Sequence, residues 1–350
     1  MKGVVKYGSL ICVLAFLFLS GCLPWYRDDR FIHIEPMVTN LAMINTEYDD
    51  FNAAGPPTYR GLQGLAYSSN SSSQGENFDI LYAPLDLRIS WVEGRGQTNV
   101  YSLSLEAGPA VPFLSAINSP YNELGPYLFH DTERRHWNAN TEFLVDGYIY
   151  LMASDRPADD FGAFNIYYYT ADEGLQLFAG NSAANDYYPS YHRGTQTLYF
   201  CSDRQGSFDI YSYGDEEVDD TLQQLLSNGN IEPEPVWWSN GAVNDKTPFI
   251  YKDIMVFASD RLGNFDLHFS QWSAGEWSVP RALPTIIVQD TDDSFHHLNT
   301  EFNEYRPFLF DAYHSFRTDN NLLMVFSSDR PGGKGGYDLY LALLPVDIFR

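Results

Sequence analysis

The side chains in this sequence that could do acid–base or ion-binding chemistry come in copies. Ser-Asp-Arg occurs at 154–156, 202–204, 259–261 and 328–330, each time after an apolar run. Each copy is followed by an aromatic–Asp/Asn–aliphatic string: Phe164–Tyr167, Phe208–Tyr211, Phe265–His268 and Tyr337–Tyr340. A fifth copy, Leu65–Asn70 with Phe78–Leu81, has lost the Asp and the Arg. An Asp in such a turn can accept backbone N–H groups, and an Arg can pair with carboxylates or with backbone of a neighbouring unit. A catalytic residue is needed once and a structural one in every unit, so repetition favours scaffolding and no catalytic residue is assigned. The same residues, Asp155, Arg156, Asp203, Arg204, Asp260, Arg261, Asp329 and Arg330, together with Lys334 of the Gly-rich loop 331–336, remain candidate binding residues on one rim.

Departures from the repeat offer less. Asp290, Asp292 and Asp293 present oxygen ligands suited to calcium but complete no calcium-loop pattern, so no cofactor is expected and calcium is the one candidate metal. His296 and His297 lie beside them, and His130, His136, His192 and His314 are scattered without metal-ligand spacing. The Gly-rich loop lacks phosphate-loop spacing, and no Gly-x-Ser-x-Gly is present. Acidic residues 215–220 read as a solvated hairpin tip. Trp91, Trp137, Trp237 and Trp238 fit either a sugar- or protein-binding surface or packing between sheets.

The elements that must hold these residues read as strands. The 350 residues include 25 Tyr and 24 Phe, with 44% hydrophobic and 19% charged content, which suits half-buried strands better than disorder. A further element precedes each copy, in forms such as Asn45–Phe51, Asn118–Pro126, Asn185–Pro189, Asn244–Pro248 and Asn299–Pro307. Each unit therefore reads as four strands: one opened by a Pro, the apolar run, the aromatic–Asp string, and a Trp- or Leu-rich stretch such as Trp277–Pro280 or Leu175–Leu177. A lone four-stranded sheet cannot bury both faces, so the expected fold is an all-β propeller of four-stranded blades. Starts near Pro56, Pro126, Pro189, Pro248 and Pro307 give five blades. The long first unit carries an extra string, Asn99–Leu103, which is either an insertion hairpin or a shrunken sixth blade. Phe31–Glu35 is expected to supply the strand that closes the last blade.

The amino terminus reads as an export signal, with Lys2 and Lys6 before the apolar run Leu10–Leu19, too short to span a bilayer stably. Leu19–Cys22 resembles the lipobox of bacterial lipoproteins. The resemblance implies cleavage after Gly21 and lipidation of Cys22, giving a signal over 1–21, a tether over 22–30 and a propeller over 31–350. Of three cysteines, Cys12 would leave with the signal and Cys201 would stand alone, so no disulfide is expected. Leu23 after the Cys favours the outer membrane. The net charge of −25 opposes phosphate backbones and excludes nucleic acid as a partner.

The repeats resemble the WD40-like PD40 repeat of the TolB propeller, and strings 299–307 and 328–340 are closer still to propellers of Bacteroidetes envelope proteins associated with OmpA-like domains. The resemblance implies a lipid-anchored, non-enzymatic envelope propeller that binds a protein or serves as scaffold. The alternative is a glycan-binding or glycan-active propeller, lyase-like and metal-dependent. Two or more His with acids at one end of the channel would favour the enzyme, and an aromatic rim would favour binding. Oligomeric state, and which side of the membrane the domain faces, stay open.

Overall fold

The apolar run before each Ser-Asp-Arg is buried on both faces, as a strand between two packed sheets must be. All seven residues of Tyr148–Ser154 are buried, as are five of the six in Ile254–Ser259. The computed structural model of the chain describes residues 38–55, 64–84, 88–92, 95–101, 114–130, 148–158, 161, 163–214, 221–239, 241–284, 288–289, 295–311 and 321–350. The chain divides into Met1–Ile32, which lies outside those residues, and His33–Arg350.

The second unit holds five antiparallel sheets, the blades of a five-bladed propeller. The first strand, β1 (Val38–Asn40), belongs to the last blade. Blade 1 is β2 (Asp50–Ala54), β3 (Gly64–Ser69) and β4 (Asp79–Pro84), followed by a hairpin of β5 (Arg88–Val92) and β6 (Arg95–Tyr101). Blade 2 is β7 (Glu123–His130), β8 (Tyr148–Ser154), β9 (Asn165–Thr170) and β10 (Gly174–Leu177). Blade 3 is β11 (Asp186–His192), β12 (Thr197–Ser202), β13 (Asp209–Tyr213) and β14 (Glu234–Pro235). Blade 4 is β15 (Asp245–Tyr251), β16 (Ile254–Ser259), β17 (Asp266–Ser273) and β18 (Glu276–Trp277), with β19 (Arg281–Ala282) also pairing β17. A short pair, β20 (Val288–Gln289) and β21 (Phe295–His296), precedes blade 5, which is β22 (Glu304–Asp311), β23 (Asn321–Ser328) and β24 (Asp338–Pro345).

β1 pairs β24, with Val38 opposite Ala342 and Asn40 opposite Tyr340, so an amino-terminal strand does close the last blade. The residues that do so are 38–40; the expected closing segment, Phe31–Glu35, lies outside the described residues. The extra string near Asn99 is an insertion hairpin: β5 and β6 pair with each other and, among the described residues, with no blade. Blade 3 draws its outer strand from β14, after the helix α1 (Leu222–Ser227), a segment the sequence pattern did not single out. That helix carries a complete capping box between Thr221 and Gln224.

The first strands β2, β7, β11, β15 and β22 touch one another in a closed cycle and are therefore the innermost strands. Proline does not open them, contrary to the sequence reading. It sits inside the strand, where the register slips: between Leu124 and Tyr127, Tyr187 and Ser190, Lys246 and Phe249, and Tyr305 and Phe308. Such a bulge leaves residues unpaired, so a residue with no N–H costs no sheet hydrogen bond there. In blade 1 the strand ends at Ala54, short of Pro56.

Each bulge places one residue at positive φ: Asn52 (59°), Gly125 (62°), Tyr188 (54°), Thr247 (56°) and Arg306 (45°). Four of the five carry side chains, so this backbone does not by itself demand glycine. Gly125 is set by crowding, because a Cβ there would lie 2.3 Å from Cδ1 of Tyr188. Gly125→Ala is expected to lower stability by about 1–3 kcal/mol, the usual cost of overpacking. Denaturant unfolding should show most of that loss disappearing in a Tyr188→Ala background; an undiminished loss would assign the cost to the backbone instead.

Candidate functional site

Every innermost strand begins with a carboxylate: Asp50, Glu123, Asp186, Asp245 and Glu304, each fully buried. A buried carboxylate needs a cation and several donors. In blades 2 to 5 the cation is the Arg of Ser-Asp-Arg. Arg156 meets Glu123 at 2.8 Å, Arg204 meets Asp186 at 2.7 Å, Arg261 meets Asp245 at 2.7 Å and Arg330 meets Glu304 at 2.9 Å. These pairs lie within one blade, joining its first two strands, where the sequence also allowed pairing to a neighbour. The guanidinium lies over the aromatic of the following string: Arg156 over Tyr167, Arg204 over Tyr211, Arg330 over Tyr340. Burial pushes the Glu123 and Glu304 carboxyls up; Ser119 and Thr300, with Arg156 and Arg330, pull them back.

The Asp of each motif holds the residue before that acid. Asp155, Asp203, Asp260 and Asp329 each accept both the backbone N–H and the side-chain amide of Asn122, Asn185, Asn244 and Asn303, at 2.7–2.8 Å. The Asn oxygen so oriented receives the N–H of Phe78, Phe164, Phe208 or Phe265 in the preceding blade. The acid's own N–H donates to the carbonyl of that same Phe. Neighbouring blades are thus joined by the Asn and the acid's backbone, with Asp and Arg behind them. Asn118, Asn181 and Asn299 add a second clamp, each bonding both N–H and C=O of Ile80, Ile166 or Leu267.

At the blade 5–blade 1 seam the parts are changed. Asp49 stands in the Asn position and accepts from Tyr337 N–H, while its own N–H donates to Asn70. Ser71 occupies the Arg position, and among the described residues no cation pairs with Asp50. Its Oδ2 accepts from the Thr46 N–H and hydroxyl, its Oδ1 has no close donor among the described residues, and burial pushes its carboxyl up against the pull of hydrogen bonds from Ser69 and Thr46. Lys334 donates from Nζ to Asn45 O and from its backbone to Asp338.

The same architecture builds a feature the sequence reading did not identify as a site. The residue after each acid and the residue just before each third strand meet around the axis at one end of the channel, half-buried except for Leu124, which is buried. Phe51 lies 4.9 Å from Phe78 and 5.9 Å from Tyr337; Tyr337 lies 5.7 Å from Tyr305, and Tyr305 4.7 Å from Phe265. Lys246 comes next, its Nζ 4.0 Å from the Phe208 ring centre and 5.4 Å from that of Phe265. Tyr187 then joins Phe208 (5.8 Å) to Phe164 (4.8 Å), and Leu124 holds the equivalent place in blade 2. The signal was present in the repeat, as an aromatic at both positions in blades 1, 3 and 5.

Beneath this ring the channel is filled. Arg306, fully buried, reaches from blade 5 across the axis to Pro126 O of blade 2 (3.1 Å) and also to Pro248 O (3.3 Å). Tyr188 of blade 3 covers it, ring centre 5.4 Å from the guanidinium, and meets Asn52 of blade 1. Burial lowers the Arg306 pKa to about 10, which leaves it charged at neutral pH. Burial also raises the phenols of Tyr187, Tyr188, Tyr305 and Tyr337, so all four are neutral hydroxyls.

The remaining candidates lie elsewhere. His192 Nε2 is 3.5 Å from Asp253 and its Nδ1 2.7 Å from Thr195 Oγ1, while His268 Nδ1 faces Asp266 O. Among the described residues no three His, Cys, Asp or Glu side chains are arranged to hold a metal ion. Asp290, Asp292, Asp293 and Cys22 lie outside the described residues. Trp238 stacks on Phe257 at 4.9 Å, and Trp237, half-exposed, donates to Trp277 O.

Asp50 and Asp186 are expected to respond in opposite directions to loss of charge. Asp50→Asn removes a buried charge that has hydrogen-bond donors but, among the described residues, no cation, and should stabilise the protein at pH 7 by about 1–3 kcal/mol. Because the folded carboxyl titrates above the ordinary 3.8, wild-type stability is lost as pH rises through the raised value, and the variant's advantage should vanish below pH 3.8. Asp186→Asn strands Arg204 and should cost about 3 kcal/mol. Urea unfolding as a function of pH checks both.

No family model and no curated protein matches the chain. Similar solved structures include a protein of unknown function from Dyadobacter fermentans, 11% identical with TM-score 0.42, covering 90% of this chain and 98% of that one. A putative TolB from Agrobacterium tumefaciens is 11% identical with TM-score 0.39, covering 90% and 100%. A glycosyl hydrolase from Bacteroides ovatus is 8% identical with TM-score 0.41, covering 91% and 95%. At these values the likeness carries neither family nor function, and the five-bladed fold rests on the sheet topology.

Proposed function

We propose that the chain is an envelope-tethered recognition propeller, PD40-like and non-enzymatic, that meets a protein partner through its aromatic mouth. The observation that carries this reading is the ring of half-exposed Phe and Tyr set over a channel plugged by Tyr188 and Arg306. A plugged channel offers a surface rather than a deep cleft. Rigid, half-buried aromatics with neutral phenols supply contact area at little conformational cost, which is why such residues dominate protein interfaces. The repeated Asp and Arg then serve binding indirectly, by holding the ring in place. Lipidation at Cys22 would tether the domain to the outer membrane, since several acyl chains anchor where one binds marginally.

Full-length protein in its native host, cross-linked in intact membranes, tests the reading. Tyr187→Leu with Tyr305→Leu is expected to reduce partner cross-linking at least tenfold while the unfolding midpoint stays near wild type, and Cys22→Ser is expected to move the chain out of the membrane fraction. Unchanged cross-linking in the Leu variant would end the mouth reading. Glycan depolymerisation by the purified protein would put the glycan-active alternative in its place.

A further inference from the structure

The mouth has a chemistry more specific than aromatic. Rim carboxylates are held beside the ring tyrosines: Asp155 and Asp203 bind Asn122 and Asn185, with Asn185 two residues before Tyr187; Asp260 and Asp329 bind Asn244 and Asn303, with Asn303 two residues before Tyr305; and Asp49 accepts the N–H of Tyr337. These five carboxylates accept hydrogen bonds from Asn side chains or backbone N–H groups. Among the described residues none of them has a cation within ion-pairing distance, whereas the four rim arginines are each matched to an acid of their own blade.

Lys246 shows what such a setting accepts. In blade 4 it replaces the aromatic of blades 1, 3 and 5, and its ammonium settles between the rings of Phe208 and Phe265. The ring therefore already holds one cation between two aromatic residues. Tyr305 with Tyr337 on one side of Lys246, and Tyr187 on the other, carry the same aromatic character without an ammonium held between them. Arg306, the positive charge beneath the ring, is buried under Tyr188 and spends two donors on carbonyls.

Resting on the binding reading above, we infer that the occupant of the mouth is a basic peptide segment of a protein partner, with lysine or arginine side chains seated on the Tyr305–Tyr337 pair and on Tyr187, either side of Lys246. Ring faces attract the cation, and the flanking carboxylates bring it in and set its approach. The net charge of −25 extends the attraction beyond the site.

Calorimetric titration of the full-length protein at about 0.15 M salt, where the screening length is about 8 Å, tests the inference. The probe is a capped hexapeptide of alternating glycine and lysine, compared with matched glutamine and glutamate peptides. The lysine peptide is expected to bind at least tenfold more tightly than either. Tyr187→Leu with Tyr305→Leu leaves the protein's charge unchanged and should weaken lysine-peptide binding about tenfold; the corresponding Phe variant, which keeps the rings, should not. Lys246→Ala removes the resident cation and should strengthen binding severalfold, an arm that does not depend on the Leu variant folding. Equal binding of the three peptides, no binding of the lysine peptide, or the same lysine affinity in the Leu variant would overturn the inference. If the Leu variant also fails to cross-link the native partner, the mouth reading survives that loss; if it cross-links normally, the mouth reading itself fails.

Discussion

Burying a carboxylate at the head of every innermost strand is the constraint on which the rest of the molecule depends. Five acids at one rim would repel one another and resist desolvation unless each were supplied with donors. Four obtain an arginine from the turn after the second strand of their own blade. That turn must therefore close over the start of the first strand, and its Asp then falls on the preceding Asn. The Asn, held at both its N–H groups, presents its oxygen to the blade before. One electrostatic requirement inside a blade thus becomes a hydrogen-bonded joint between blades, which is how short repeated strings can specify a closed ring.

The seam departs from this scheme without breaking it. β1 adds a covalently distant strand to β24, and Asn45 bonds both N–H and C=O of Leu339. With those contacts closing the ring, the Arg can be absent from blade 1, where Thr46 supplies donors to the Asp50 carboxylate. Along the axis, the bulges turn one residue per blade inward, and two of these, Tyr188 and Arg306, are large enough to reach non-adjacent blades. The plug is therefore a product of bulge geometry combined with side-chain size at two positions.

Much of the fold was legible because its determinants are local and repeated. The Ser-Asp-Arg run, the aromatic–Asp string and the Asn-led segment each mark a place where backbone and side chain must agree, and five blades follow from counting them. What escaped was set by contacts distant in sequence. Whether Arg204 serves its own blade or the next depends on the closing of a turn 18 residues from its partner Asp186. The role of Pro189 or Pro307 is not legible in the sequence, because a bulge is a register slip, visible only when the partner strand is known. Arg306 stands in plain view within 299–307, yet that its Nη1 and Nη2 donate to carbonyls rather than to a carboxylate among the described residues is a property of the centre of the ring and not of the string.

The candidate site was less legible than the fold for a related reason. Phe51, Tyr187 and Tyr305 occupy a repeated position, and repetition argues for structure over function. That inference fails where a repeated position lines the axis, because circular symmetry turns one structural position into a continuous surface of five. Variation within such a position then carries the specificity: Phe51, Leu124, Tyr187, Lys246 and Tyr305 share one backbone setting and differ in size, polarity and charge. Selection for binding can change those side chains one at a time, since the joint between blades uses the acid before them and the backbone of the aromatic opposite them. A propeller can in this way keep its scaffold and alter its mouth without insertions, and the chemistry of this mouth is held in substitutions inside the repeat more than in the irregular loops between copies.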